Sequence, residues 1–203
     1  IRGDDVEYGL RNKKKLILLN GICVWHEPFE NKYSSSLFYY ILRNQAIDNC
    51  LHCKKYTKID LQKDLWYRAI RELLLYRYKN VYLLIQGVND FLKGIDWLET
   101  TDGEKLHQEI MKKGYSMQTL DELEVHFSYP QYDRSLLEND GKIHRVFRLA
   151  TLNGHFLPAV RNNIVSTASM RPYNAYRVKK ILNYDVTSKK GFLAEKNNKV
   201  LFK

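Results

Sequence analysis

Proline, glycine and cysteine are all scarce in this chain of 203 residues, which has 4 Pro, 10 Gly and 3 Cys. So few prolines and glycines exclude a collagen-like protein and a chain made mainly of linkers. Three cysteines cannot form a disulfide scaffold, so the composition favours a reducing compartment. No apolar run reaches about 18 residues, the length that a membrane-spanning helix needs.

What the chain does have is positive charge and tyrosine. Lys and Arg number 33 against 23 Asp and Glu, which gives a formal net charge of +10, and Tyr occurs 15 times. Hydrophobic residues make up 44% of the chain, which is ordinary for a globular protein and excludes a disordered one. A basic, tyrosine-rich surface suits an anionic partner, such as nucleic acid, a phospholipid surface or a phosphorylated substrate.

The hydrophobic pattern divides the chain into three regions. In residues 1–33, apolar runs on either side of Asn20-Gly21 predict a strand–turn–strand unit. Residues 34–128 predict four helices, which begin after Ser34–Ser36, at Asp60, near Val81 and at Thr101–Glu104. The second has Leu61, Ala69 and Leu74 on one side. The third runs from about Val81 to Leu98 through Leu92 and Ile95, and Gly114 should end the fourth. The expected apolar face of the first of these helices is Leu37, Tyr40, Ile41, Ile47 and Leu51. In residues 129–203, short apolar runs predict a small antiparallel β unit. One run lies at Ile143–Leu149, Asn153-Gly154 sits between two of the runs, and the unit ends in a hairpin with its turn at 196–199.

The first residues suggest a piece of a longer protein. The chain opens Ile1-Arg2-Gly3-Asp4-Asp5, without an initiator Met or a signal peptide. The alternative is a processed or tagged full-length chain.

Three carboxylates crowd into four positions near the start of the chain, at Asp4, Asp5 and Glu7. They repel one another unless a metal ion, a basic side chain or a proton lies among them, and such crowding can raise a carboxylate pKa toward the range of a general base. Arg2 and Arg11 flank the group and could offset its charge. The alternative is a solvated acidic turn at the start of a helix, where carboxylates interact favourably with the helix dipole.

His26 ends the second apolar run, directly after Trp25 and three residues before Phe29. A side chain at the end of a strand can point from a rigid scaffold into a cleft, and neutral imidazole is a good ligand for Mn²⁺ or Zn²⁺. Trp25 and Phe29 offer flat apolar surfaces of the kind that stack on sugar rings. The alternative is a partly buried His between core aromatic side chains.

Cys50 and Cys53 have the Cys-x-x-Cys spacing of a zinc or redox site. No second pair of ligands accompanies them, and the segment falls late in a predicted helix. Free thiols at the end of a helix are therefore the preferred interpretation.

Taken together, these segments resemble family 2 glycosyltransferases of the galactofuranosyltransferase type, which build bacterial cell-wall and capsular glycans. The matching stretches are Asp4-Asp5-Val6-Glu7-Tyr8-Gly9-Leu10-Arg11, Val24-Trp25-His26, Lys32 and Tyr39-Tyr40-Ile41-Leu42-Arg43-Asn44. The likeness lies within residues 1–53. It implies an α+β fold class, in which residues 1–33 end a GT-A type α/β catalytic domain, residues 34–128 form a helical region, and residues 129–203 form the β-rich unit.

The resemblance also implies a reaction. It is the metal-dependent, inverting transfer of a sugar, with galactofuranose as the candidate, from a nucleotide-sugar donor to a cell-wall or capsular glycan. Asp5 matches the catalytic base, with Asp4 beside it, and His26 matches a ligand of the divalent metal, Mn²⁺ or Mg²⁺. The expected substrate-binding residues are Trp25, Phe29, Glu7 and Arg43.

The chain departs from the family pattern at two positions. The polymerising members have a Trp where this chain has Phe29, and a His where it has Ile41, so the identities of donor and acceptor stay open. In the family, the nucleotide-binding sheet and its Asp-x-Asp metal motif precede the matching segment. Neither an Asp-x-Asp nor a Gly-rich phosphate loop occurs in these 203 residues, so the chain alone is expected to be inactive.

The expected location is the cytoplasm, at the inner face of the plasma membrane. A lipid-diphosphate-linked acceptor and peripheral contact with anionic lipid would both use the positive charge, and an oligomer is compatible with this arrangement. The alternative function is a non-enzymatic, basic nucleic-acid-binding module, because Arg and Tyr residues interleave in the C-terminal unit. Those residues are Arg145, Arg148, Arg161, Arg171, Tyr173, Tyr176, Arg177, Lys179 and Lys180.

Overall fold

The computed structural model describes residues 4–12, 17, 20–21, 33–124, 141–166, 176–185 and 188–197, without the side chains of residues 4–6 and 161–166. This part of the chain has seven helices and three strands, which confirms the α+β class. The helices are α1 (Asp4–Arg11), α2 (Ser36–His52), α3 (Lys58–Leu74), α4 (Tyr78–Leu92), α5 (Ile95–Thr100), α6 (Gly103–Lys113) and α7 (Lys142–Ala150). The strands are β1 (Arg161–Ser166), β2 (Val178–Asp185) and β3 (Lys190–Glu195).

The helical region is built around α4, which packs against both α2 and α3. The apolar cluster between these three helices consists of Leu42, Ala46, Leu61, Ala69, Val81, Leu84 and Val88. At the crossing of α2 and α4, a Cβ atom on Gly87 would overlap the backbone carbonyl oxygen of Tyr39. Only glycine lets the two backbones approach this closely. No described helix has the length and hydrophobicity to cross a lipid bilayer.

The predicted starts of the four helices hold to within a few residues. Asp60 does not begin α3 but closes a capping box three residues inside it, with Thr57 as the N-cap. Asp102 caps α6 through bonds from the backbone N–H groups of Glu104 and Lys105, and α6 ends before Gly114 as predicted. The expected hydroxyl cap of α2 is absent, because Ser35 Oγ instead accepts a hydrogen bond from the backbone N–H of Tyr115 at 2.9 Å.

The predicted apolar face of α2 was right only in part, since Tyr40 and Ile41 pack against the core from partly buried positions. Its buried residues are Ser36, Tyr39, Leu42, Arg43, Asn44 and Ala46. Leu51, which was expected to be in the core, is 65% exposed. Hydrophobic periodicity did not predict the buried face, because this face includes Arg43 and Asn44. These polar residues are stable inside the protein because Arg43 donates hydrogen bonds to Asn44 and Tyr39.

The single helix predicted from about Val81 to Leu98 is two helices. The chain turns at Gly94, which has a φ of 86°, and α5 begins at the next residue. This left-handed conformation favours glycine and cannot continue an α-helix. Leu92 and Ile95, which were expected on the apolar face, are exposed.

The prediction of a β run at Ile143–Leu149 was also wrong, because these residues form most of α7. Asn153-Gly154 does make a turn, with positive φ at both residues, but it connects α7 toward β1 and not one strand to another. Over so few positions, short apolar runs separated by polar residues fit both the helical period of about 3.6 residues and the strand period of about 2.

The three strands form one sheet in the order β1-β2-β3. β2 and β3 are antiparallel, as expected, and pair from Lys180 with Glu195 to Asp185 with Lys190. β1 is parallel to β2, so the expectation of a wholly antiparallel unit was wrong for this strand. Eleven residues, 167–177, separate β1 from β2, far more than a tight hairpin turn uses.

The hairpin of β2 and β3 shares a hydrophobic cluster with the helices. This cluster contains Leu75, Tyr76 and Tyr78 between α3 and α4, together with Val178, Ile181, Phe192 and Ala194 from the strands. The hairpin therefore covers the end of the helical region where α3 meets α4. The hairpin turn predicted at 196–199 lies past the end of β3, and residues 198–203 are outside the described residues.

The N-terminal strand prediction falls mostly outside the described residues. Asn20 and Gly21 form the predicted turn, and Gly21 has a φ of 83°. Most of the residues of the two flanking apolar runs are not described.

Candidate functional site

The Asp-Asp pair lies at the start of α1. Asp4 and Asp5 are the first two residues of this eight-residue helix. The first backbone N–H groups of a helix have no intrahelical partner and make its N-terminus electropositive, which favours ionised carboxylates there. An ionised carboxylate is the form that a general base requires. The same placement is also what a solvated acidic helix start would show.

Glu7 connects α1 to the C-terminal end of α2. Its Oε1 accepts hydrogen bonds from Arg11 Nε at 3.0 Å and Arg11 Nη2 at 2.8 Å, and it lies 3.2 Å from Nε2 of His52. The bond from the Arg11 guanidinium, followed by that from His52, holds the pKa of Glu7 below its ordinary value, against an opposing effect of burial. Glu7 is therefore ionised at neutral pH.

Asp48 adds a second carboxylate near this contact. Burial raises its pKa, the negative charge of Glu7 raises it further, and His52 partly opposes the shift. Sequence reasoning missed both Asp48 and His52. Their spacing of four residues near the end of α2 puts them on one helix face, which is the signal that could have found them.

Arg43 lies inside the protein, between α2 and α4, and is only 5% exposed. Its Nη1 donates to Tyr39 Oη at 3.1 Å and its Nε donates to Asn44 Oδ1 at 3.1 Å. Tyr39 Oη in turn donates to Asp90 Oδ2 of α4 at 2.8 Å. These contacts show Arg43 as part of the packing between the two helices.

The structure does not bring Arg43 and Glu7 together. The contact of Glu7 with α2 is at His52, nine residues beyond Arg43. At a rise of 1.5 Å per residue this is roughly 14 Å along the helix axis. A ligand that touches both would have to extend along α2.

The other predicted site residues, Trp25, His26 and Phe29, lie outside the described residues. The metal site therefore stays a prediction from the sequence. In the part of the chain that the structure does describe, no three His, Cys, Asp or Glu side chains are grouped to hold a metal ion. Cys50 and Cys53 form no disulfide and are both exposed at the C-terminal end of α2.

A buried polar network joins the helices to the hairpin, and sequence reasoning did not predict it. Arg77, 1% exposed, donates from Nε to Asn183 Oδ1 of β2 at 2.7 Å, and its Nη1 lies 3.7 Å from Glu72 Oε1. Glu72 also accepts from Asn80 Nδ2 at 2.7 Å, and burial raises its pKa. The sequence did contain one indication of this network. Arg77 is a single charged residue in an apolar run with Leu74, Leu75, Tyr76 and Tyr78, and such a residue indicates a buried ion pair.

A second unpredicted group surrounds His155, which is fully buried. Its Nδ1–H donates to the carbonyl oxygen of Leu152, so Nε2 is left as an acceptor, and Tyr78 Oη donates to it at 2.9 Å. The backbone N–H of Asn197 donates to the same hydroxyl at 3.1 Å. Burial lowers the pKa of His155 to about 4, so the imidazole is neutral at pH 7.

Tyr78 also lines a cleft of about 400 Å³ between α4 and the end of β3. The other aromatic walls are Tyr76, Tyr82 and Tyr115. The two lysines at the cleft are engaged locally, since Lys79 Nζ donates to the carbonyl oxygen of Gly114 and Lys196 Nζ to that of Gly154. The cleft is thus an aromatic hollow next to a buried, neutral histidine.

Comparison of the chain with protein-family models, with curated proteins and with solved structures finds no match.

Proposed function

We propose that this chain is the C-terminal part of a metal-dependent, inverting family 2 glycosyltransferase that transfers a sugar from a nucleotide-sugar donor to a cell-wall or capsular glycan. The observation that carries the proposal is the joining of two motif segments. Helix α1 holds Asp4-Asp5-x-Glu7, helix α2 holds Tyr39-Tyr40-x-x-Arg43-Asn44, and the Glu7–His52 contact packs one against the other.

In this proposal Asp5 is the general base. Its carboxylate takes the proton from an acceptor hydroxyl as that oxygen attacks the anomeric carbon, and the bond from this carbon to the diphosphate breaks with inversion. Glu7 is paired with the Arg11 guanidinium, so Asp4 and Asp5 at the first turn of α1 are the candidates for the base. The helix N-terminus keeps the carboxylates there ionised at neutral pH.

A divalent metal, Mn²⁺ or Mg²⁺, would neutralise the leaving nucleoside diphosphate, with His26 as one ligand. The remaining ligands and the nucleotide-binding sheet belong, by the resemblance, to a preceding segment. The 203 residues alone are therefore expected to catalyse no transfer. The proposed location is the inner face of the plasma membrane, where a lipid-diphosphate-linked acceptor would be presented.

The test of this function is a transfer assay on the longer protein that contains this chain. Nucleotide sugars are supplied with Mn²⁺ and a lipid-linked glycan acceptor, and labelled product is measured. Asp5→Asn keeps the shape of the side chain and removes its basicity, so turnover should fall by at least about a hundredfold. The matched control is Asp121→Asn, since Asp121 is exposed and far along the chain. Near-normal turnover of a folded Asp5→Asn protein would reject the assignment.

A second test uses only the gene. The coding sequence before Ile1 should encode an α/β nucleotide-binding half with an Asp-x-Asp motif. A reading frame that begins at or near Ile1 would remove the enzyme proposal and favour the alternative of a nucleic-acid-binding module.

A further inference from the structure

Helix α7 exposes its apolar residues. Ile143 is 84% exposed, Val146 65%, Phe147 50% and Leu149 48%, and no residue of the helix is buried. A surface helix normally turns such residues toward a core. The apolar face of α7 is therefore unpartnered within the described structure.

Helix α7 is amphipathic. At about 100° per residue, the four apolar residues and Ala150 fall within an arc of about 160°. His144, Arg145 and Arg148 fill the opposite side, and Lys142 falls within the apolar arc, about 20° from Leu149. This is the arrangement of a helix that lies in the plane of a lipid interface, with apolar side chains below it and basic side chains at the headgroups.

The helix is held firmly to the rest of the molecule at its C-terminal end. The backbone N–H of Asn153 donates to the carbonyl oxygen of Arg148, while Nδ2 of the same buried Asn donates to the carbonyl oxygen of Leu74, the last residue of α3, at 2.9 Å. The Arg148 guanidinium also lies 5.9 Å from the ring centroid of Tyr176. The exposed face is thus presented by a fixed element and not by a loose arm.

The charge of α7 indicates the occupant. The helix itself carries Lys142, Arg145 and Arg148 and no Asp or Glu. A second copy of this chain would bring the same basic residues against them, which is repulsive. Nucleic acid would match the charge but would leave the aliphatic side chains exposed to water. An anionic bilayer offers both an apolar layer and negative charge.

We propose that α7 is a membrane-docking helix, which lies in the surface of an anionic bilayer with Ile143, Val146 and Phe147 inserted among the lipids. In the proposed function the protein works at the membrane, and α7 would be the segment that binds it there. The inference rests on the proposed function only for the reason why the protein binds a membrane. The binding itself depends on α7 and not on the Asp-Asp motif.

The experiment measures sedimentation of the full chain with vesicles of phosphatidylcholine alone and with vesicles that contain roughly 30% phosphatidylglycerol, which supplies the anionic surface that basic helices require. The parent chain should bind the anionic vesicles and not the neutral ones. Ile143→Ser with Phe147→Ser should weaken binding at least about tenfold at both low and high salt, because it removes inserted surface. Lys142→Gln with Arg145→Gln should weaken it mainly at low salt, because salt screens charge.

The matched control is Ile59→Ser, since Ile59 is 61% exposed on α3 and lies outside the proposed face. Circular dichroism melts check folding, which the surface changes should leave intact. The proposal is overturned if the Ile143→Ser, Phe147→Ser protein binds as the control does, or if the parent binds neither kind of vesicle or both equally. A concentration-dependent dimer abolished by the same changes would assign the face to a second copy, and salt-sensitive binding of single-stranded RNA without vesicle binding would assign it to nucleic acid.

The two proposals can be tested independently, because a different substitution removes each activity. Asp5→Asn in the longer protein should lose transfer and keep vesicle binding. The Ile143→Ser, Phe147→Ser change should lose vesicle binding and keep transfer to a water-soluble acceptor.

Discussion

Acid should destabilise this protein through His155. The imidazole is fully buried, donates to Leu152 and accepts from Tyr78, and burial lowers its pKa from 6.5 to about 4. An unfolded chain takes up a proton at this residue below pH 6.5, whereas the folded protein does so only near pH 4. The stability contributed by the neutral imidazole is therefore complete above pH 6.5 and is lost as the pH falls through this window.

The size of the effect follows from the two pKa values. A shift of one pKa unit corresponds to about 1.4 kcal/mol, so the whole window from 6.5 to about 4 is worth about 3 kcal/mol. Between pH 7 and pH 5 the free energy of unfolding should fall by about 2 kcal/mol on account of this residue alone. Glu72, whose pKa is raised by burial, acts with the opposite sign over this range. The contribution of His155 must therefore be measured as a difference between variants.

The assay is urea unfolding at pH 7 and pH 5 for the parent, for His155→Gln and for His144→Gln, whose histidine is exposed on α7. The His155→Gln protein should lose about 2 kcal/mol less than the parent between the two pH values, and the His144→Gln control should behave as the parent does. NMR titration of the parent imidazole provides a check that needs no variant. Equal pH dependence in the parent and in His155→Gln, or an imidazole of His155 that titrates between pH 6 and 7 in the folded protein, would refute the reasoning.

Three further predictions concern packing, the buried charges and the metal. Gly87→Ala should destabilise the protein by about 1–3 kcal/mol, because the added methyl group meets the backbone of Tyr39. Gly103→Ala is the control and should not destabilise it, because a methyl group there meets nothing within 4 Å. Thermal unfolding compares the two variants. Arg77→Met should lower the free energy of unfolding by about 3–5 kcal/mol at pH 8, because it leaves Glu72 buried without its ion-pair partner. The loss should be smaller at pH 5, where Glu72 can take up a proton. A loss that does not vary with pH would contradict this account, and Lys63→Met is the surface control. His26→Ala in the longer protein should weaken Mn²⁺ binding more than folding, and a metal titration that overlays that of the parent would make His26 a core residue.

Local signals in the sequence were enough to locate most of the helices. Asp60 marks the start of α3, and Asp102 and Gly114 mark the two ends of α6, through capping chemistry that involves only neighbouring residues. The apolar spacing of Leu61, Ala69 and Leu74 also found the buried side of α3. Such features depend on the chain within one or two turns and can be predicted without the fold.

The candidate site was predictable only in part. The sequence indicated Asp4, Asp5 and Glu7 through their spacing, and the structure puts them on one helix, α1. The pairing of Glu7 with His52 joins residues 45 positions apart, and no local pattern determines which helix end meets α1. The roles proposed for Asp5 and His26 stay predictions from the resemblance.

The sequence by itself determined the composition class, the basic charge, the helical middle of the chain and the antiparallel pair of β2 and β3, because these depend on residue type and short-range spacing. Only the tertiary structure decided which polar residues are buried, which face of α2 meets α4, and that β1 runs parallel to β2. It also decided that α7 is an exposed amphipathic helix and not a strand. The physical reason is the same in each case: a charged or polar group is stable inside a protein only when distant parts of the chain supply its partners, and an apolar face is exposed only when none of them covers it.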